Sequence, residues 1–490
     1  TMLLPSCVVT AALGIRPRVP SAAVQFAVYA AKRGNALSTA SPLRCKAEHP
    51  PWLHPWSERC RDGMKNPARD NGNADPRARI ARGAYLTFIV KGVRMSAKFD
   101  FDVMADRSLD HARKWDREII QQKFPYAKED YIPMWIADMD FPAAPAVRKA
   151  LVEVAENGAY GYGYAHDGFY NAVMSWQHRR HNVDVERDWI TLAYGTVPTI
   201  HYLYQAFCQP NDCVILNTPV YDPFGYAAHN NGFRIISNPL IYQDRTYYID
   251  FALFEEQMQR FHPRIHLFCS PHNPGGRIWT LEEIERVAEI CYKNNCLLVV
   301  DEVHCEHIMS GDFHSALQLP DRYLDNLIVL TSPNKGFNLG GLKTSYSMIP
   351  SARVRDVFRH RLEMNSITSP NTFGCAAIIA AYNEGEEWLD AITDYLRESY
   401  KQTADFIESR MKGWELMHMQ ASYLPWVNIS GTGATATELC EHMAREAGVI
   451  VGDGTFYVDN GSQFIRLNLG CPRALSSEAL LRMEAHQLVR

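Results

Sequence analysis

The sequence predicts an α/β protein: a large domain with a mostly parallel sheet flanked by helices, followed by a smaller α+β domain. Between about residues 190 and 350, short apolar strands alternate with helical patterns, which favours a parallel sheet with helices on both faces. The last hundred residues differ. Trp388 to Met411 is one long amphipathic helical pattern, and Ala421 to Ser430 and Gln463 to Leu469 are predicted strands. The 490 residues, 47% hydrophobic and 21% charged, suffice for a large two-domain chain.

The first predicted strand of the large domain, from Ile190, runs into a turn of small residues. Gly195, Thr196 and Val197 form this turn, and a helical pattern follows through Phe207. Backbone N–H groups and the helix dipole make such a helix N-terminus a binding place for phosphate. Many strand-to-helix turns of this kind bind nothing, so the turn is a candidate site only in combination with others.

The next two strands each lead to a candidate side chain. Tyr221 follows the predicted strand Val214 to Leu216 and could stack on a planar ring or pack in the core. The strand that begins at Ile265 runs into Asn273-Pro-Gly-Gly276, a sequence that favours a turn. Asn273 is therefore either a turn residue or a hydrogen-bonding group for a ligand.

Asp301 ends an apolar run, Leu298 to Val300, that is typical of a buried parallel strand. Ligands in open α/β sheets bind at the carboxyl ends of the strands, where this carboxylate is expected to lie. Asp301 could pair with the protonated pyridine nitrogen of a cofactor ring, or it could simply cap a turn. His304 follows three residues later and could flank the same ring or be an ordinary buried polar group.

Lys335 lies in the most informative segment, Ser332-x-x-Lys335 followed by small residues and a second cation at Lys343. A lysine in this setting is typical of the residue that forms a Schiff base with the aldehyde of pyridoxal 5′-phosphate, which then serves as an electron sink. Ser-x-x-Lys alone is weak evidence. Its order and spacing relative to Asp301, Asn273 and the glycine turn make the prediction specific.

These segments, in this order, resemble the fold type I pyridoxal phosphate enzymes of aminotransferase class I/II. The chain more narrowly resembles the MalY/PatB group of cystathionine β-lyase-like proteins. The narrower resemblance depends on four strings, Met134–Phe141, Tyr160–Tyr164, Asp301–His304 and Arg466–Arg473. It extends over about residues 95 to 490.

The resemblance implies a role around the cofactor ring for five residues. Lys335 would form the Schiff base and remove the Cα proton of the substrate. Asp301 would pair with the pyridine nitrogen, and Tyr221 would stack on the ring. Asn273 and His304 would lie around the phenolic oxygen and the ring edge.

The resemblance also implies how the phosphate, the substrate and the subunits are held. The turn at residues 195–197 and the Ser332 hydroxyl would bind the phosphate. Lys343 occupies a position where many relatives carry arginine, so a point charge replaces a bidentate fork there. Arg466 would bind the substrate α-carboxylate. Tyr162 would reach across a homodimer interface into the active site of the partner.

The activity implied is β-elimination from an amino acid that carries sulfur at Cβ, with L-cystathionine as the leading substrate. The products would be a thiol, pyruvate and ammonia. Two alternatives stay open at this point. Transamination needs the same cofactor and residues, and the same scaffold could have a regulatory role in binding another protein.

Composition and charge indicate which other kinds of site and which cellular compartment fit the chain. The twelve cysteines show no regular spacing and no CxxC pair, which indicates neither a zinc site nor a disulfide framework and favours a reduced cytoplasmic setting. No metal site is predicted. A formal net charge of −5 gives no support for nucleic-acid binding, and the catalytic region has no apolar stretch long enough for a membrane span.

Four segments are predicted. Residues 1–94 are basic and rich in proline, so we expect little fixed structure there; they could be an over-extended start, since Met95 resembles the beginning of the family, or a transit-like segment. Residues 95–140 would form an arm and part of the small domain. Residues 141–385 would form the large cofactor-binding domain, and residues 386–490 the rest of the small domain.

Overall fold

The computed structural model describes residues 98–490, so the predictions for residues 1–94 lie outside the described part of the chain. The strands are β1 (Ile132–Met134), β2 (Ile190–Ala193), β3 (Cys213–Thr218), β4 (Arg234–Pro239), β5 (Ile241–Gln243), β6 (Thr246–Tyr248), β7 (Ile265–Cys269), β8 (Leu297–Asp301), β9 (Leu327–Thr331), β10 (Ser345–Met348), β11 (Glu415–Leu416), β12 (Trp426–Asn428), β13 (Val449–Asp453) and β14 (Phe464–Arg466).

The α-helices are α1 (Arg117–Lys123), α2 (Pro145–Asn157), α3 (Asp167–His181), α4 (Thr196–Phe207), α5 (Asp222–Asn230), α6 (Phe251–Phe261), α7 (Leu281–Lys293), α8 (Asp321–Leu324), α9 (Ala352–Met364), α10 (Thr372–Glu384), α11 (Glu386–Arg410), α12 (Ala436–His442) and α13 (Arg473–Ala485). No helix in residues 98–490 is both long and apolar enough to cross a membrane.

The larger sheet has seven strands in the order β2-β10-β9-β8-β7-β3-β4. The five strands from β9 to β4 run parallel, and β10 pairs antiparallel with both β9 and β2. Alternate residues of each strand enter different cores: Leu298 and Val300 of β8 pack in one cluster, and Leu297 and Val299 in another. Both faces are therefore covered, which explains the continuous apolar runs in the sequence and confirms the predicted mostly parallel sheet.

The second sheet has five strands in the order β1-β13-β14-β12-β11 and its own apolar core. Strand β1 pairs parallel with β13, with Ile132 opposite Val449. The long helix predicted from Trp388 is confirmed as the 25-residue α11. The domain boundaries at residues 94, 140 and 385 stay a prediction.

The strand predicted from Ala421 to Ser430 is wrong over its first half, because only Trp426–Asn428 form β12. The backbone before Pro425 has other partners. The Ala421 N–H donates to Gly276 O at 2.9 Å, and the Ser422 N–H donates to His307 O at 2.8 Å. These bonds tie the second sheet to loops that follow β7 and β8. The strand predicted for 463–469 is likewise shorter, β14 covering only residues 464–466.

Candidate active site

A cavity of about 200 Å³ lies at the carboxyl ends of the parallel strands. Strand β8 ends in Asp301, the loop after β7 carries Asn273, and the chain after β3 carries Tyr221. This is the edge at which an open α/β sheet binds ligands. Nine of the twelve predicted site residues line the cavity, namely Gly195, Thr196, Val197, Tyr221, Asn273, Asp301, His304, Lys335 and Lys343.

One end of the cavity is the N-terminus of α4, where Gly195 precedes the first helical residue with φ 105° and ψ 151°. That conformation is costly for any residue with a Cβ, which explains the glycine. The Gly195 N–H donates to Ser345 Oγ at 3.0 Å, and Pro198 has no N–H. The N–H groups of Thr196 and Val197 are therefore the ones that the helix start offers to an anion.

The Lys335 side chain is buried, and its Nζ donates a hydrogen bond to Ala137 O at 2.7 Å. Burial, with a contribution from the nearby Arg466 guanidinium, lowers the pKa of Lys335 from 10.5 to about 8. Asp138 and Asp301 oppose this shift. At pH 7 about a tenth of this amine is therefore neutral, and nucleophilic.

Asp301 is 3% exposed, and its Oδ1 accepts from the Val303 N–H at 3.1 Å. Burial raises the pKa of the carboxyl group from 3.8 to about 7, and the Val303 N–H and Lys335 only partly oppose the shift. A carboxylate buried in this way is stabilised by a cationic N–H donor, such as a protonated pyridine nitrogen.

Two buried polar atoms at the cavity have no hydrogen-bond partner among residues 98–490, namely His304 Nδ1 and Asn334 Oδ1. Burial, followed by the charges of Lys335 and Arg466, holds the pKa of His304 well below its usual range, so the imidazole is neutral. Buried polar atoms are normally paired, and unpaired ones at a cavity mark places for ligand atoms. The helix N-terminus, Lys335 and Asp301 together match the phosphate, aldehyde and ring nitrogen of pyridoxal phosphate.

Arg466 lies in β14, outside the cavity lining but in contact with it. Its Nη1 donates to Asn273 Oδ1 at 3.3 Å, and its Nη2 donates to Trp135 O at 3.2 Å. Its Nε has no partner in the described chain. The guanidinium, 5.4 Å from the Tyr457 ring centroid, is thus fixed beside the cavity with donor capacity left for a carboxylate.

Two predicted residues lie away from the cavity. The Ser332 hydroxyl donates to Thr344 O at 2.7 Å and accepts from the Asn334 N–H at 3.1 Å, so it braces the loop before Lys335. Tyr162 lies between α2 and α3 with a fully exposed side chain. The roles of Ser332 with phosphate and of Tyr162 across a dimer stay predictions, and the geometry of Ser332 does not support the first.

Sequence reasoning missed several residues that shape the site. Ala137 O and Trp135 O hold Lys335 and Arg466, respectively. Both belong to the string Met134–Phe141, one of the four on which the narrower resemblance depends, but carbonyl groups leave no trace in a sequence. Cys269 and Phe224 also line the cavity.

The seven-stranded sheet with a buried lysine at its carboxyl edge defines the class of fold type I pyridoxal-phosphate-dependent proteins. The family model for aminotransferase class I and II matches residues 129–483, and the chain belongs to this family. The resemblance predicted from the sequence is confirmed.

Two curated relatives carry names from the narrower group. Cystathionine beta-lyase PatB of Bacillus subtilis (strain 168) is 33% identical over 389 residues, which cover 79% of this chain and 99% of PatB. Protein MalY of Escherichia coli (strain K12) is 28% identical over 378 residues, 77% of this chain and 95% of MalY.

Solved structures are similar over the same region. Cystalysin from Treponema denticola, whose crystal structure contains pyridoxal 5′-phosphate, matches with a TM-score of 0.76 and 29% identity, over 79% of this chain and 98% of that chain. The PLP-bound C-S lyase from Staphylococcus hominis matches with a TM-score of 0.73 and 28% identity, over 81% of this chain and 99% of that chain.

Proposed function

We propose that this protein is a pyridoxal-phosphate-dependent carbon–sulfur β-lyase. It cleaves L-cystathionine, or a related S-conjugate of cysteine, to a thiol, pyruvate and ammonia. The observation that carries the proposal is the convergence of three groups: the Lys335 amine and the Asp301 carboxylate in the cavity, and the Arg466 guanidinium beside it, against Asn273. The names of PatB and of the C-S lyase from Staphylococcus hominis support the lyase activity over others in the family.

The cofactor-binding residues divide by the part of pyridoxal phosphate that each would hold. Thr196, Val197 and Lys343 would hold the phosphate through N–H groups and a cation. Asp301 would hold the proton on the pyridine nitrogen, and Lys335 would hold the aldehyde carbon. When bound, the cofactor supplies a conjugated ring that accepts the electron pair left at the substrate Cα.

Arg466 begins the reaction by orienting the substrate. A carboxylate would replace or share the donors that now contact Asn273 Oδ1 and Trp135 O, and a planar guanidinium binds it with two parallel bonds. The fixed carboxylate then places the Cα–H bond toward Lys335. Orientation of this kind converts proton transfer into an effectively intramolecular step.

Lys335 moves the protons. With substrate in the site, the free Lys335 amine would take the Cα proton, and the burial that lowers its pKa to about 8 in the ligand-free protein favours a neutral base. The C–S bond then breaks with its electron pair leaving on sulfur, and the Lys335 ammonium can return the proton to that thiolate. The three-carbon fragment takes up one water and ends as pyruvate and ammonia.

The assembly that we propose is a homodimer in which Tyr162 of one chain enters the active site of its partner. The segment that carries it exposes three tyrosines, Tyr160, Tyr162 and Tyr164, at 58%, 103% and 77%. Exposed aromatic residues in one segment are typical of an interface. Light scattering would give the mass of the assembly, and Tyr162→Phe should lower activity without changing that mass.

The compartment that we propose is the cytoplasm. The nine cysteines in residues 98–490 are all unpaired and buried. Free thiols in this number are typical of a reducing compartment.

The experiment that tests the function gives the purified, cofactor-loaded enzyme L-cystathionine and follows pyruvate, ammonia and homocysteine together. A lyase yields the three in equal amounts without any oxo-acid acceptor. An aminotransferase would instead need 2-oxoglutarate and yield glutamate, with no free thiol. Glutamate formed from 2-oxoglutarate without release of homocysteine would contradict the proposal.

The control compares two lysines of the same cavity. Lys335→Ala should abolish thiol release because the amine that moves the protons is gone. Lys343→Ala should keep turnover at saturating cofactor and only weaken cofactor binding. Appreciable turnover by Lys335→Ala would contradict the assignment.

A further inference from the structure

Behind the active-site loop, three buried side chains form a cluster that the mechanism does not use. His181 is the last residue of α3, and Cys305 and Glu306 follow β8. His181 Nε2 lies 3.2 Å from Glu306 Oε1 and 3.7 Å from Cys305 Sγ, and Cys305 Sγ lies 3.8 Å from Glu306 Oε1. The three ligand atoms thus form a compact triangle.

We propose that this cluster binds a zinc ion through His181 Nε2, Cys305 Sγ and Glu306 Oε1. Zinc–ligand distances of about 2.3 Å to sulfur and about 2.0–2.1 Å to nitrogen and oxygen, at tetrahedral angles, imply separations of about 3.3 Å for N–O and about 3.5 Å for S–N and S–O. The observed separations are close to these values. One imidazole, one thiolate and one carboxylate suit zinc better than Ca²⁺ or Mg²⁺, which prefer oxygen ligands.

The incomplete pairing of the buried Glu306 carboxylate is the second observation that points to a cation. The Glu306 side chain is 3% exposed, and its Oε2 has no hydrogen-bond partner among residues 98–490. Oε1 accepts from Trp176 Nε1 at 2.8 Å, the type of outer hydrogen bond that orients a metal-bound carboxylate. With a neutral imidazole, the thiolate and carboxylate would neutralise the charge of Zn²⁺, which favours a buried site.

A cavity of about 560 Å³ borders the cluster and is lined by His181, Cys305 and Glu306 themselves. Residues 310–313 and the acidic side chains Asp390 and Asp394 form other parts of its wall. The cavity gives the ion a way in and leaves room for a water as fourth ligand, an arrangement typical of zinc with three protein ligands. Two arginines on the same wall are paired, Arg180 with Glu386 and Asp390, and Arg397 with Asp394, which reduces their repulsion of a cation.

The cluster packs against the backbone next to Lys335. A Cβ on Gly336 would lie 2.9 Å from both Cβ and Cγ of Glu306, so the two segments are in close contact. A bound ion would hold the loop after β8 and the loop that carries Lys335 together. This site does not depend on the proposed lyase activity. It departs from the sequence prediction that no metal is bound. The sequence carries no signal of it, because His181 lies 124 positions before Cys305 and 125 before Glu306, and such distant ligands form no spacing motif.

The test uses the cofactor-loaded enzyme after removal of metals with a chelator. Equilibrium dialysis against Zn²⁺ with elemental analysis should give one ion per chain. Co²⁺ used as a probe should give the intense visible bands of a tetrahedral ion, in the red region where pyridoxal phosphate does not absorb. Cys305→Ser and Glu306→Gln should each weaken Zn²⁺ binding by about 100-fold or more, since loss of an outer hydrogen-bond partner alone costs about 10- to 100-fold.

The matched control is Cys291→Ser. Cys291 is also buried, with its Sγ 3.6 Å from His266 Nδ1, but its contacts within residues 98–490 include no carboxylate. This variant should bind Zn²⁺ as the parent does, and circular dichroism should show that all variants are folded. Absence of a stoichiometric ion in the parent would overturn the proposal, and so would Zn²⁺ binding unchanged by Cys305→Ser and Glu306→Gln.

Discussion

Replacement of Asp301 by asparagine should have opposite effects on the protein with and without cofactor. In the cofactor-free protein, burial raises the pKa of Asp301 from 3.8 to about 7. The folded state therefore binds a proton that the unfolded state has lost between these pH values, so the free energy of unfolding falls as pH rises through this interval. At about 1.36 kcal/mol per pKa unit, the penalty reaches about 4 kcal/mol above pH 7.

The Asp301→Asn variant would escape this penalty because an amide carries no charge, and the amide oxygen could still accept the Val303 N–H. The buried NH₂ group would cost about 1–3 kcal/mol if it found no acceptor. At pH 7.5 the cofactor-free variant should therefore be about 1–3 kcal/mol more stable than the parent. At pH 5 the gain should vanish, because the parent's penalty is then only about 1–2 kcal/mol.

In the loaded enzyme the same change removes one partner of a buried charge pair, a loss of about 3–5 kcal/mol. If that loss falls on the transition state, kcat decreases between about 10²- and 10⁴-fold. Urea denaturation of the cofactor-free protein at both pH values, and pyruvate release by the loaded enzyme, measure the two effects. A variant that is less stable than the parent at pH 7.5, or fully active when loaded, would refute the reasoning.

Three further predictions concern other groups of the site. The rate at which cofactor-free enzyme takes up pyridoxal phosphate should rise with pH around a midpoint of about 8, because burial lowers the pKa of the attacking Lys335 amine. Stopped-flow absorbance measures this rate. A midpoint near 10.5 would show that burial does not lower the pKa of the amine. Arg466→Lys should raise KM for cystathionine about 10- to 100-fold, since an ammonium cannot form two parallel bonds to a carboxylate, and an unchanged KM would remove Arg466 from substrate binding. Gly195→Ala should destabilise the protein by about 1–3 kcal/mol and weaken cofactor binding, because a φ of 105° strains any residue with a Cβ. Thermal denaturation measures the first effect and cofactor titration the second. A variant with unchanged stability and cofactor binding would show that the turn tolerates a side chain.

The large sheet could be predicted from the sequence because its strands are local patterns. Buried parallel strands such as β8 are runs of apolar residues, and Asp301 marks where one ends. The second sheet could not be predicted in the same way. Its strands β1 and β13 are far apart in the sequence, and β12 is shortened because the chain before Pro425 bonds to loops after β7 and β8.

The candidate site could be predicted where side chains carry the chemistry and not where the backbone does. Lys335, Asp301 and the glycine turn follow strand ends, so their meeting at one edge follows from the sheet. The carbonyl group that accepts from Lys335 belongs to Ala137, which nothing in its side chain reveals. From the sequence, the Ser332 hydroxyl could either bind phosphate or stabilise the loop before Lys335. Its hydrogen bond to Thr344 O depends on tertiary contacts, which the sequence does not reveal.

The most direct test of the central claim, that the Lys335 amine carries the cofactor in this cavity, is to reduce the loaded enzyme with borohydride and map the modified peptide by mass spectrometry. The account predicts one pyridoxyl group per chain, on Lys335. A pyridoxyl group on Lys343, on another lysine or on none would contradict it.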